Sequence, residues 1–431
     1  MQTRLRALEA NGHEPTKIEL IVIGGTWSVL PEMYKYWFIK ECFRGANDYQ
    51  KNKKIRKQEN KNFKFSRFSG TPPRRWQISK LRKKLLYEQR KNEKTKYKII
   101  GVTLETRPDY INEKELCQMR ELGCTRVELG VQAVDDKILK FNRRGHGVKE
   151  IARATKLLKN FGFKATYHIM PALPGSTPAK DLKMFKQLFS DERFQPDQLK
   201  FYPTVVTRGS LLYKWWKMGK YKPYPQKALE KLIVSCKKAV PEYVRIVRLI
   251  RDIPEESIIA GNRITNLRQV MQARGAPCRC IRCREAGEKK FSIFNFSAKG
   301  ESATGGQFSI IEYKASGGRE FFIQAESKNK NTLYGFCRLR LPSRNAERIT
   351  HNVIKEAAII RELHVYGELV PIGFKKKIQH AGLGKKLMAE AEKIARRNGF
   401  KKIAVISGVG ARGYYRKLGY KLKNSYMVKS L

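Results

Sequence analysis

The chain has 431 residues, too many for one ordinary hydrophobic core, so two or three domains are expected. Its 41% apolar and 10% aromatic content excludes wholesale disorder. Lys and Arg number 90 against 39 Asp and Glu, and the net charge is +51. This imbalance predicts a polyanionic partner, and nucleic acid is favoured over a membrane because no apolar run approaches the ~20 residues of a spanning helix. The first residues lack the apolar core of a signal peptide, which predicts a cytoplasmic location.

Apolar runs typical of strands alternate with amphipathic helical segments in the first part of the chain. Strands are predicted at Ile18–Ile23, Ile99–Leu104, Arg126–Val131, Ala165–Met170, Gln198–Tyr202 and Val244–Leu249. Helices are predicted between them at Glu113–Glu121, Val148–Lys159, Ala179–Phe189 and Gln226–Ala239. The alternation predicts an α/β fold with parallel strands and right-handed crossovers, and six strands predict a partial (β/α)6 barrel over residues 1–261.

The working residues of such barrels lie where the strands end. Several unusual short sequences follow the predicted strands: Gly24-Gly25-Thr26, Glu105-Thr106-Arg107-Pro108, Gln132 and Pro171-Ala172-Leu173-Pro174-Gly175. Because the carboxyl ends of parallel strands share one edge of the sheet, these residues are expected to meet at one mouth of the barrel.

Residues 51–98 interrupt the strand–helix rhythm with nineteen Lys or Arg and only three Glu. Charge runs of this kind are usually solvated insertions. Here four aromatic side chains stand among the cations, at Phe63, Phe65, Phe68 and Trp76. Bases stack on rings while Lys and Arg neutralise phosphates, so the segment is interpreted as a nucleic-acid contact.

The eight cysteines fall into two groups. Five are scattered singly among apolar neighbours and are interpreted as reduced core residues: Cys42, Cys117, Cys124, Cys236 and Cys337. The others form a C-x-C-x-x-C cluster, Cys278, Cys280 and Cys283, in an Arg-rich connector over residues 262–290. Three thiolates at this spacing suit tetrahedral zinc, although no fourth ligand is evident beyond the nearby Glu285 and Glu288. Reduced thiols without metal are the alternative.

The last third of the chain, residues 291–431, has a different order of elements. Strands are predicted at Phe291–Phe296, Phe308–Tyr313, Glu320–Ala325, Thr332–Arg340 and Ile359–Tyr366, then a helix at Gly384–Arg397 and a final strand at Ile403–Ser407. The helix is opened by a glycine-containing loop that runs from Gln379, His380 and Ala381 to Gly382, Leu383 and Gly384, with Lys385 and Lys386 following. Unpaired N–H groups at such a helix start suit a pyrophosphate.

This segment resembles the GCN5-related N-acetyltransferase family, a mixed α/β fold, over its whole length. Gln379, Gly382 and Gly384 match its Gln/Arg-x-x-Gly-x-Gly/Ala signature, and the sequence YYRKLGY matches its last helix and strand. The resemblance implies an acetyl-CoA site formed by this loop and by the strand that carries Glu362, Leu363, His364 and Val365. Tyr414 or Tyr415 is expected to donate a hydroxyl proton to the departing thiolate or to line the space for the acyl chain. Glu362 and His364 share one face of their strand and are expected to polarise or position the acetyl group. Core packing is the alternative for one tyrosine and for His364.

Gly24-Gly25-Thr26 after an apolar strand resembles the motif with which radical S-adenosylmethionine (SAM) enzymes hold the methionine amine of their cofactor. Seven further sequences follow in order: GVTLETRPDY, RVELGVQ, NRRGH, YHIMPALPG, LKFYPTVV, RLIRDIP and CRCIRCRE. Together with RELHVYG and AVISGVGARGYYRKLGY, they make the whole chain similar to the family of Elongator catalytic subunits, in its archaeal or bacterial stand-alone form.

The resemblance implies a radical SAM barrel fused to an acetyltransferase that modifies carbon 5 of the wobble uridine, position 34, in tRNA anticodons. A 5′-deoxyadenosyl radical would abstract hydrogen from the acetyl methyl of acetyl-CoA, the carbon radical would add to the uridine, and thioester hydrolysis would release CoA. The resemblance also assigns residues to sites: a SAM pocket at Gly24, Gly25, Thr26, Glu105 and Gln132, a contact between Lys17 and acetyl-CoA, and structural zinc at the cysteine cluster. The implied partner is the tRNA anticodon stem-loop, joined in some lineages by other Elongator-like subunits.

One departure from the family concerns its [4Fe–4S] cluster, which three cysteines bind upstream of the first barrel strand. Residues 1–41 contain no cysteine, and a cluster needs thiolates. The sequence therefore predicts a chain that binds tRNA and binds and hydrolyses acetyl-CoA, but neither assembles the cluster nor modifies uridine. An N-terminal truncation is the expected reason, and a naturally cluster-free relative is the alternative. Two other functions remain open at this point: a protein lysine acetyltransferase, and an RNA-binding module with a regulatory CoA site.

Overall fold

The computed structural model describes residues 1–49, 75–250, 253–264, 267–273, 275, 277–286, 306–343, 354–366 and 382–431. Phe63, Phe65 and Phe68 of the basic insertion, the predicted strand Phe291–Phe296, Glu288, and Gln379, His380 and Ala381 of the glycine loop lie outside these ranges. No helix in the described ranges is both long enough and apolar enough to cross a membrane.

The first sheet has six strands in the order β1-β2-β3-β4-β5-β7, and every neighbouring pair is parallel. A short antiparallel pair, β6 and β8, lies beside it. The strands are β1 Lys17–Val22, β2 Lys98–Thr106, β3 Cys124–Gln132, β4 Lys164–Ile169, β5 Gln198–Phe201, β6 Val206–Thr207, β7 Arg245–Arg248 and β8 Ile258–Ala260. The predicted partial barrel is thus confirmed, with each of its six strands found within two residues of the expected bounds.

Helices cross between these strands as predicted. In chain order they are α1 Gln2–Ala10, α2 Glu32–Asn47, α3 Arg75–Asn92, α4 Glu113–Glu121, α5 Asp136–Phe141, α6 Val148–Asn160, α7 Pro178–Ser190, α8 Leu211–Lys217, α9 Gln226–Ala239, α10 Leu267–Ala273 and α11 Ile281–Arg284. Local sequence sets several starts: Asn112 and Thr177 cap α4 and α7 by accepting from backbone N–H groups, and Pro178 occupies the first turn of α7. The two best-predicted helices, α4 and α9, begin and end at the predicted residues.

The second sheet is mixed and has seven strands, in the order β14-β15-β13-β12-β11-β10-β9. Its elements are β9 Gly306–Ala315, β10 Gly318–Ser327, β11 Leu333–Pro342, β12 Ala358–Val365, α12 Leu383–Arg397, β13 Lys402–Val405, α13 Arg412–Arg416, β14 Lys421–Lys423 and β15 Tyr426–Ser430. The prediction of a final strand at Ile403–Ser407 was wrong in one respect, because β14 and β15 follow it. Both are short, and β14 is exposed throughout, so neither shows a clear apolar period.

The second sheet packs against the amino ends of the barrel strands. The turn after β13 contacts β2 so closely that a Cβ added to Gly408 would lie 1.9 Å from the Ile100 carbonyl oxygen. On the other side of the junction, the Arg361 guanidinium on β12 donates to the Asp197 carboxylate just before β5. The amino ends of the barrel strands therefore face strand β12, and a site shared by the two sheets is expected in the space between them.

Candidate functional site

A cavity of ≈ 870 Å³ lies between the two sheets. On the barrel side, its wall is formed by residues at the starts of successive strands: Lys17, Lys98, Arg126, Lys164, Gln198 and Arg245. On the other side it is formed by β12, through Glu362, Leu363 and His364, and by Tyr414 and Tyr415 of α13. The structure therefore brings together six residues that the sequence placed in the acetyl-CoA site, including Lys17 from far along the chain.

Glu362 is the only carboxylate that β12 contributes to the cavity wall in the described range, and cations surround it. Arg338 Nε donates to Glu362 Oε2 at 2.9 Å, and Lys164 Nζ lies 3.5 Å from Oε1. Burial alone would raise the pKa of Glu362, but Lys164 and Arg338 outweigh it and lower this pKa to about 2. Glu362 is therefore ionised at neutral pH, which suits it to orienting groups by charge and makes it a weak general base.

His364 faces the same cavity two residues further along β12, between the rings of Phe336 and Tyr366. Although His364 is exposed to the open cavity, desolvation by the surrounding protein lowers the pKa of its imidazole below the usual value. The ring is therefore neutral at physiological pH and can accept a proton from water. Glu362 and His364 share the cavity face of β12, as their alternate positions predict.

Lys17, the first residue of β1, reaches the cavity from the barrel side. Lys17 is exposed to the open cavity, and partial desolvation by the surrounding wall lowers the pKa of its ammonium group. Nearby, Glu19 Oε1 pairs with Arg126 Nη1 at 3.0 Å. The same face of β1 continues toward the far end of the barrel with Ile21 and Ile23, which are 45% and 54% exposed. An accessible face therefore runs along β1 from the cavity to Gly24.

The start of α12 carries the described part of the glycine loop. Gly382 caps the helix in the left-handed region at φ +85°, and a Cβ there would meet no atom within 4 Å. Gly384 is different, since an added Cβ would lie 2.7 Å from the Tyr414 hydroxyl and 3.7 Å from Val365 Cγ2. Glycine at 384 therefore leaves room for Tyr414 next to the helix start, where backbone N–H groups lack helical acceptors. Leu383 is buried under this turn, and Lys385 is exposed beside it.

The two tyrosines of α13 differ in exposure. Both line the cavity, but Tyr414 is 38% exposed, whereas Tyr415 is 7% exposed and packs against Tyr420. Burial raises the pKa of Tyr414 to about 12, so its hydroxyl stays protonated and can donate a hydrogen bond at neutral pH. Of the pair, Tyr414 has the geometry to meet a thiolate near α12, and Tyr415 has the environment of a core residue.

The sequence-predicted SAM residues lie at the opposite mouth of the barrel. The Gly24 N–H donates to Glu105 Oε2 at 3.1 Å, and Thr26 precedes a 3₁₀ turn at Trp27–Val29. Gly24 is in the left-handed region at φ +114°, and an added Cβ at Gly24 or Gly25 would meet nothing within 4 Å. Gln132, which ends β3, has a strained φ of +69°, and its buried Oε1 has no hydrogen-bond partner among the described residues. Open glycine backbone and an unpartnered amide oxygen fit a polar ligand at this mouth.

Three functional candidates at this mouth were missed by the sequence reasoning. Glu105 lies 3.5 Å from His168 Nδ1, His168 Nε2 lies 2.8 Å from Glu128 Oε2, and Lys200 also bonds Glu128. Burial would raise the pKa of Glu128, but His168 and Lys200 lower it to about 2. Glu128 and His168 lie within two quoted motifs, RVELGVQ and YHIMPALPG, yet only the barrel shows that both side chains point inward beside Lys200.

The two mouths are well separated. From Lys17 to Gly24, an extended strand covers roughly 20 Å at about 3.3 Å per residue. The cavity touches the amino ends of the strands, while Gly24, Glu105 and Gln132 stand at the carboxyl ends. The predicted acetyl-CoA and SAM residues therefore form two sites at opposite ends of one barrel.

The sulfur atoms of Cys278, Cys280 and Cys283 form a separate cluster in which all three Sγ atoms lie within 4.8 Å of one another. Hydrogen bonds from its neighbours lower the pKa of the Cys280 thiol. Glu285, one of the two acids considered as a fourth ligand, is instead paired with Arg245 at 2.6 Å and Arg282 at 2.9 Å. The five scattered cysteines are all reduced, and Cys124, Cys236 and Cys337 are buried, as predicted, whereas Cys42 and Cys117 are half-buried.

The families that match this chain cover its two sheets in turn, the barrel first and the mixed sheet second. The radical SAM superfamily matches residues 4–188, the radical SAM C-terminal domain matches residues 196–275, and the acetyltransferase (GNAT) family matches residues 291–420. The last of these contains the glycine loop, β12 and both cavity tyrosines. The first contains the strand ends from Gly24 to Gly175.

Several relatives are similar over the full chain. A protein of Dehalococcoides mccartyi named tRNA uridine(34) acetyltransferase is 41% identical over 99% of this chain and 86% of its own length. Its namesake in Methanocaldococcus infernus is 39% identical over 100% of this chain and 76% of its own length. Elongator complex protein 3 of Homo sapiens is 37% identical over 99% and 72%.

A solved structure extends this similarity to the arrangement of the two domains. The archaeal Methanocaldococcus infernus Elp3 with an N-terminal deletion of residues 1–46 superposes with a TM-score of 0.81 at 38% identity, covering 100% of this chain and 94% of that one. A likeness at this level spans both sheets and the junction between them. The chain belongs to the tRNA uridine(34) acetyltransferase family, whose eukaryotic members are named Elongator complex protein 3.

Proposed function

We propose that this chain binds acetyl-CoA and a tRNA anticodon stem-loop and hydrolyses acetyl-CoA under the control of that RNA, as part of the modification of uridine 34 for which its relatives are named. The observation that carries the proposal is the cavity shared by β12 and the amino ends of the barrel strands. An acetyltransferase that acted alone would need no second domain in its acyl site. Here Lys17, Arg126 and Lys164 of the barrel form half of the wall.

Acetyl-CoA would enter at the start of α12. Its pyrophosphate would meet the backbone N–H groups after Gly382, with Lys385 and Lys386 adding positive charge. The pantetheine arm would lie along β12, and the acetyl group would reach Glu362, His364 and Lys17. Tyr414 would donate to the departing thiolate, and neutral His364 would accept a proton from the water that cleaves the thioester.

SAM would be held at the far mouth by Gly24, Gly25, Thr26, Glu105 and Gln132, whose open backbone and unpartnered amide fit it. When bound with its cluster, it supplies the radical that activates the acetyl methyl in this family. Residues 1–41 contain no cysteine, so we assign no step on this chain to a [4Fe–4S] cluster. The accessible face of β1, with Ile21 and Ile23, would connect this mouth to the acetyl site.

tRNA binding is supported by charge and by exposed aromatic groups. The net charge of +51 exceeds what solubility requires, and the described part of the basic insertion, helix α3, exposes Trp76 and Tyr87 by 58% and 65% among lysines. Phosphate neutralisation and base stacking both predict affinity for single-stranded loops. A cationic peptide would be repelled by the same surface, which disfavours lysine acetylation of proteins.

The proposal is tested by acetyl-CoA hydrolysis with and without an anticodon stem-loop. We expect the RNA to accelerate CoA release, and we expect both Lys17→Ala and Gly382→Glu to abolish it. The first change removes the barrel-side cation. The second forces a side chain into a left-handed position and places a carboxylate where phosphates should bind.

A matched control is Gly399→Glu, which places the same side chain at a second left-handed glycine, φ +78°, beyond the other end of α12. It should preserve hydrolysis. If hydrolysis by the unaltered chain is indifferent to RNA, the proposal fails. Rapid acetyl transfer to a lysine peptide without RNA would favour a protein acetyltransferase, and RNA binding without turnover would favour a regulatory CoA site.

We further propose that Cys278, Cys280 and Cys283 bind one structural zinc ion. Three thiols within 4.8 Å are close enough for tetrahedral coordination, and the helices in the described part of the connector, α10 and α11, are short. Purified protein is expected to contain about one zinc per chain by elemental analysis, and Cys283→Ser should reduce the content strongly. Cys42→Ser, a change at an isolated cysteine, should leave it intact. A metal-free protein of normal stability would contradict the assignment.

A further inference from the structure

Helix α8, Leu211–Lys217, has no buried residue, although its sequence LLYKWWK is mostly apolar. Tyr213, Trp215 and Trp216 supply its rings, and Leu211 and Met218 at its ends are 45% and 60% exposed. Amphipathic helices usually bury their aromatic face. The three rings are each half-buried, so the helix leaves part of its aromatic surface open to solvent, and none of the active-site roles uses these side chains.

The aromatic rings of the helix form two pairs, one of which includes a neighbour from α5. Phe141, which is 55% exposed, contacts Trp215 at 5.4 Å between ring centroids. Tyr213 and Trp216 stack at 6.0 Å, and Lys217 Nζ lies 5.0 Å above the Tyr213 ring. We refer to Phe141, Tyr213, Trp215 and Trp216 as the aromatic platform.

The surroundings of the platform are strongly cationic. Residues 206–224 contain no Asp or Glu but carry Arg208, Lys214, Lys217, Lys220 and Lys222, all exposed. Lys137, Lys140 and Arg143 add exposed cations on the α5 side. Asp135 and Asp136 at the start of α5 are the acidic residues on that helix, and the cations outnumber them. An exposed apolar patch could bind a protein, but one bordered mainly by cations complements a polyanion with stacking groups.

The position of the aromatic platform on the barrel further restricts the kind of ligand that it can bind. Gly175 in the loop after β4 lies against Phe141, and Asn142 donates to the Pro174 carbonyl at 2.9 Å. Tyr221, just after α8, donates to the Ala172 carbonyl at 2.8 Å, and the Met170 N–H donates to the Gln132 carbonyl at 2.9 Å. Short contacts therefore connect the platform to Gln132, at the mouth where a base would have to enter.

We infer that the aromatic platform holds unpaired bases of the RNA anticodon loop next to the mouth of the barrel. The inference rests on the proposed function, since it assumes an RNA substrate. Bases of a single-stranded loop can splay and stack on rings, while the surrounding lysines contact the phosphates. Duplex RNA offers no unstacked bases and would gain only from the lysines.

The test compares two RNA probes, an anticodon stem-loop and a blunt duplex of the same stem sequence. Stacking on one ring is worth roughly five- to 150-fold in affinity, so Trp215→Ala should weaken stem-loop binding at least about fivefold. Duplex binding should stay the same, and Trp215→Phe should retain most of the loop preference. Changing Lys214 and Lys217 to Gln should weaken both probes and reduce the salt slope by about 1.4 for a single-stranded contact.

Ile310→Ala on β9 is the control, a change at an exposed apolar side chain outside both proposed RNA surfaces. It should leave the binding of the stem-loop and of the duplex unchanged. If the unaltered chain binds neither probe, the proposed RNA substrate fails together with the platform. If it prefers the stem-loop and Trp215→Ala retains that preference, the platform assignment alone is overturned, and a protein partner becomes the better explanation for the exposed rings.

Discussion

Asp197→Ala is expected to lower the free energy of unfolding by about 3–5 kcal/mol, the usual effect of removing one partner from a buried ion pair. Asp197 is fully buried where the two sheets meet. Arg361 donates to it from β12, Arg338 Nη1 lies 3.7 Å away, and Lys159 Nζ lies 3.6 Å away. Without Asp197, these cations would face one another in a region closed to water.

The surrounding network explains why no neighbour can compensate. Four buried cations, Lys159, Arg338, Arg340 and Arg361, share three carboxylates, Asp197, Glu320 and Glu362. Glu320 already pairs with Arg340 at 3.0 Å and with Arg361 at 3.1 Å. Loss of Asp197 leaves four cations against two anions, and the effect should extend to the cavity through Arg338 and Glu362.

The same carboxylate makes stability depend on pH. Burial alone would raise the pKa of Asp197, but Arg361, Lys159 and Arg338 hold it below the usual value. A carboxyl whose pKa is depressed in the folded state stabilises the fold above its unfolded pKa, about 3.9, and this contribution is lost as the pH falls below that value. The Asp197→Ala protein should therefore show a shallower loss of stability below about pH 4.

Urea unfolding at a series of pH values measures both effects. Asp191→Ala is a suitable control, because Asp191 pairs with the exposed Arg193 at the surface, where such pairs contribute about 0–1 kcal/mol. Equal losses for the two variants would contradict the role given to Asp197 at the junction.

Gly408→Ala is expected to disrupt the junction by steric overlap, at about 3 kcal/mol or more, the upper end of measured overpacking effects. The added Cβ would stand 1.9 Å from the Ile100 carbonyl oxygen and 3.1 Å from the Gly101 nitrogen. Both atoms belong to the backbone of β2, which cannot move aside without breaking the barrel. The turn would have to withdraw, and the cavity would open.

RNA-stimulated acetyl-CoA hydrolysis should therefore be lost in Gly408→Ala, together with a lower midpoint of thermal unfolding. Gly413→Ala provides the comparison, since a Cβ there would meet nothing within 4 Å and alanine favours the helix α13. It should be neutral or slightly stabilising. Normal hydrolysis and stability in Gly408→Ala would show that the two sheets do not pack as closely as the contact implies.

Local sequence alone determined the elements that carry most of the fold. Buried parallel strands appear in the sequence as short apolar runs, and the crossover helices have a clear apolar period. Six strands and four helices of the barrel could therefore be predicted from patterns that extend over only a few residues. The helix after the glycine loop was predictable for the same reason, and α12 begins one residue before the expected Gly384. Residues Glu362 and His364 could be assigned to one face of β12 by alternation alone.

The packing of the two sheets was decided by contacts between distant parts of the chain. The sequence suggests that the arginines of β11 and β12, Arg338, Arg340 and Arg361, are surface charges. All three are buried instead, because Asp197 and Glu320 from other elements pair with them. Likewise, Glu128, His168 and Lys200 meet only when three strands curl into a barrel. Neither group has a local signature, since the charge that stabilises each buried side chain lies tens of residues away or more, and only the tertiary structure brings it within reach.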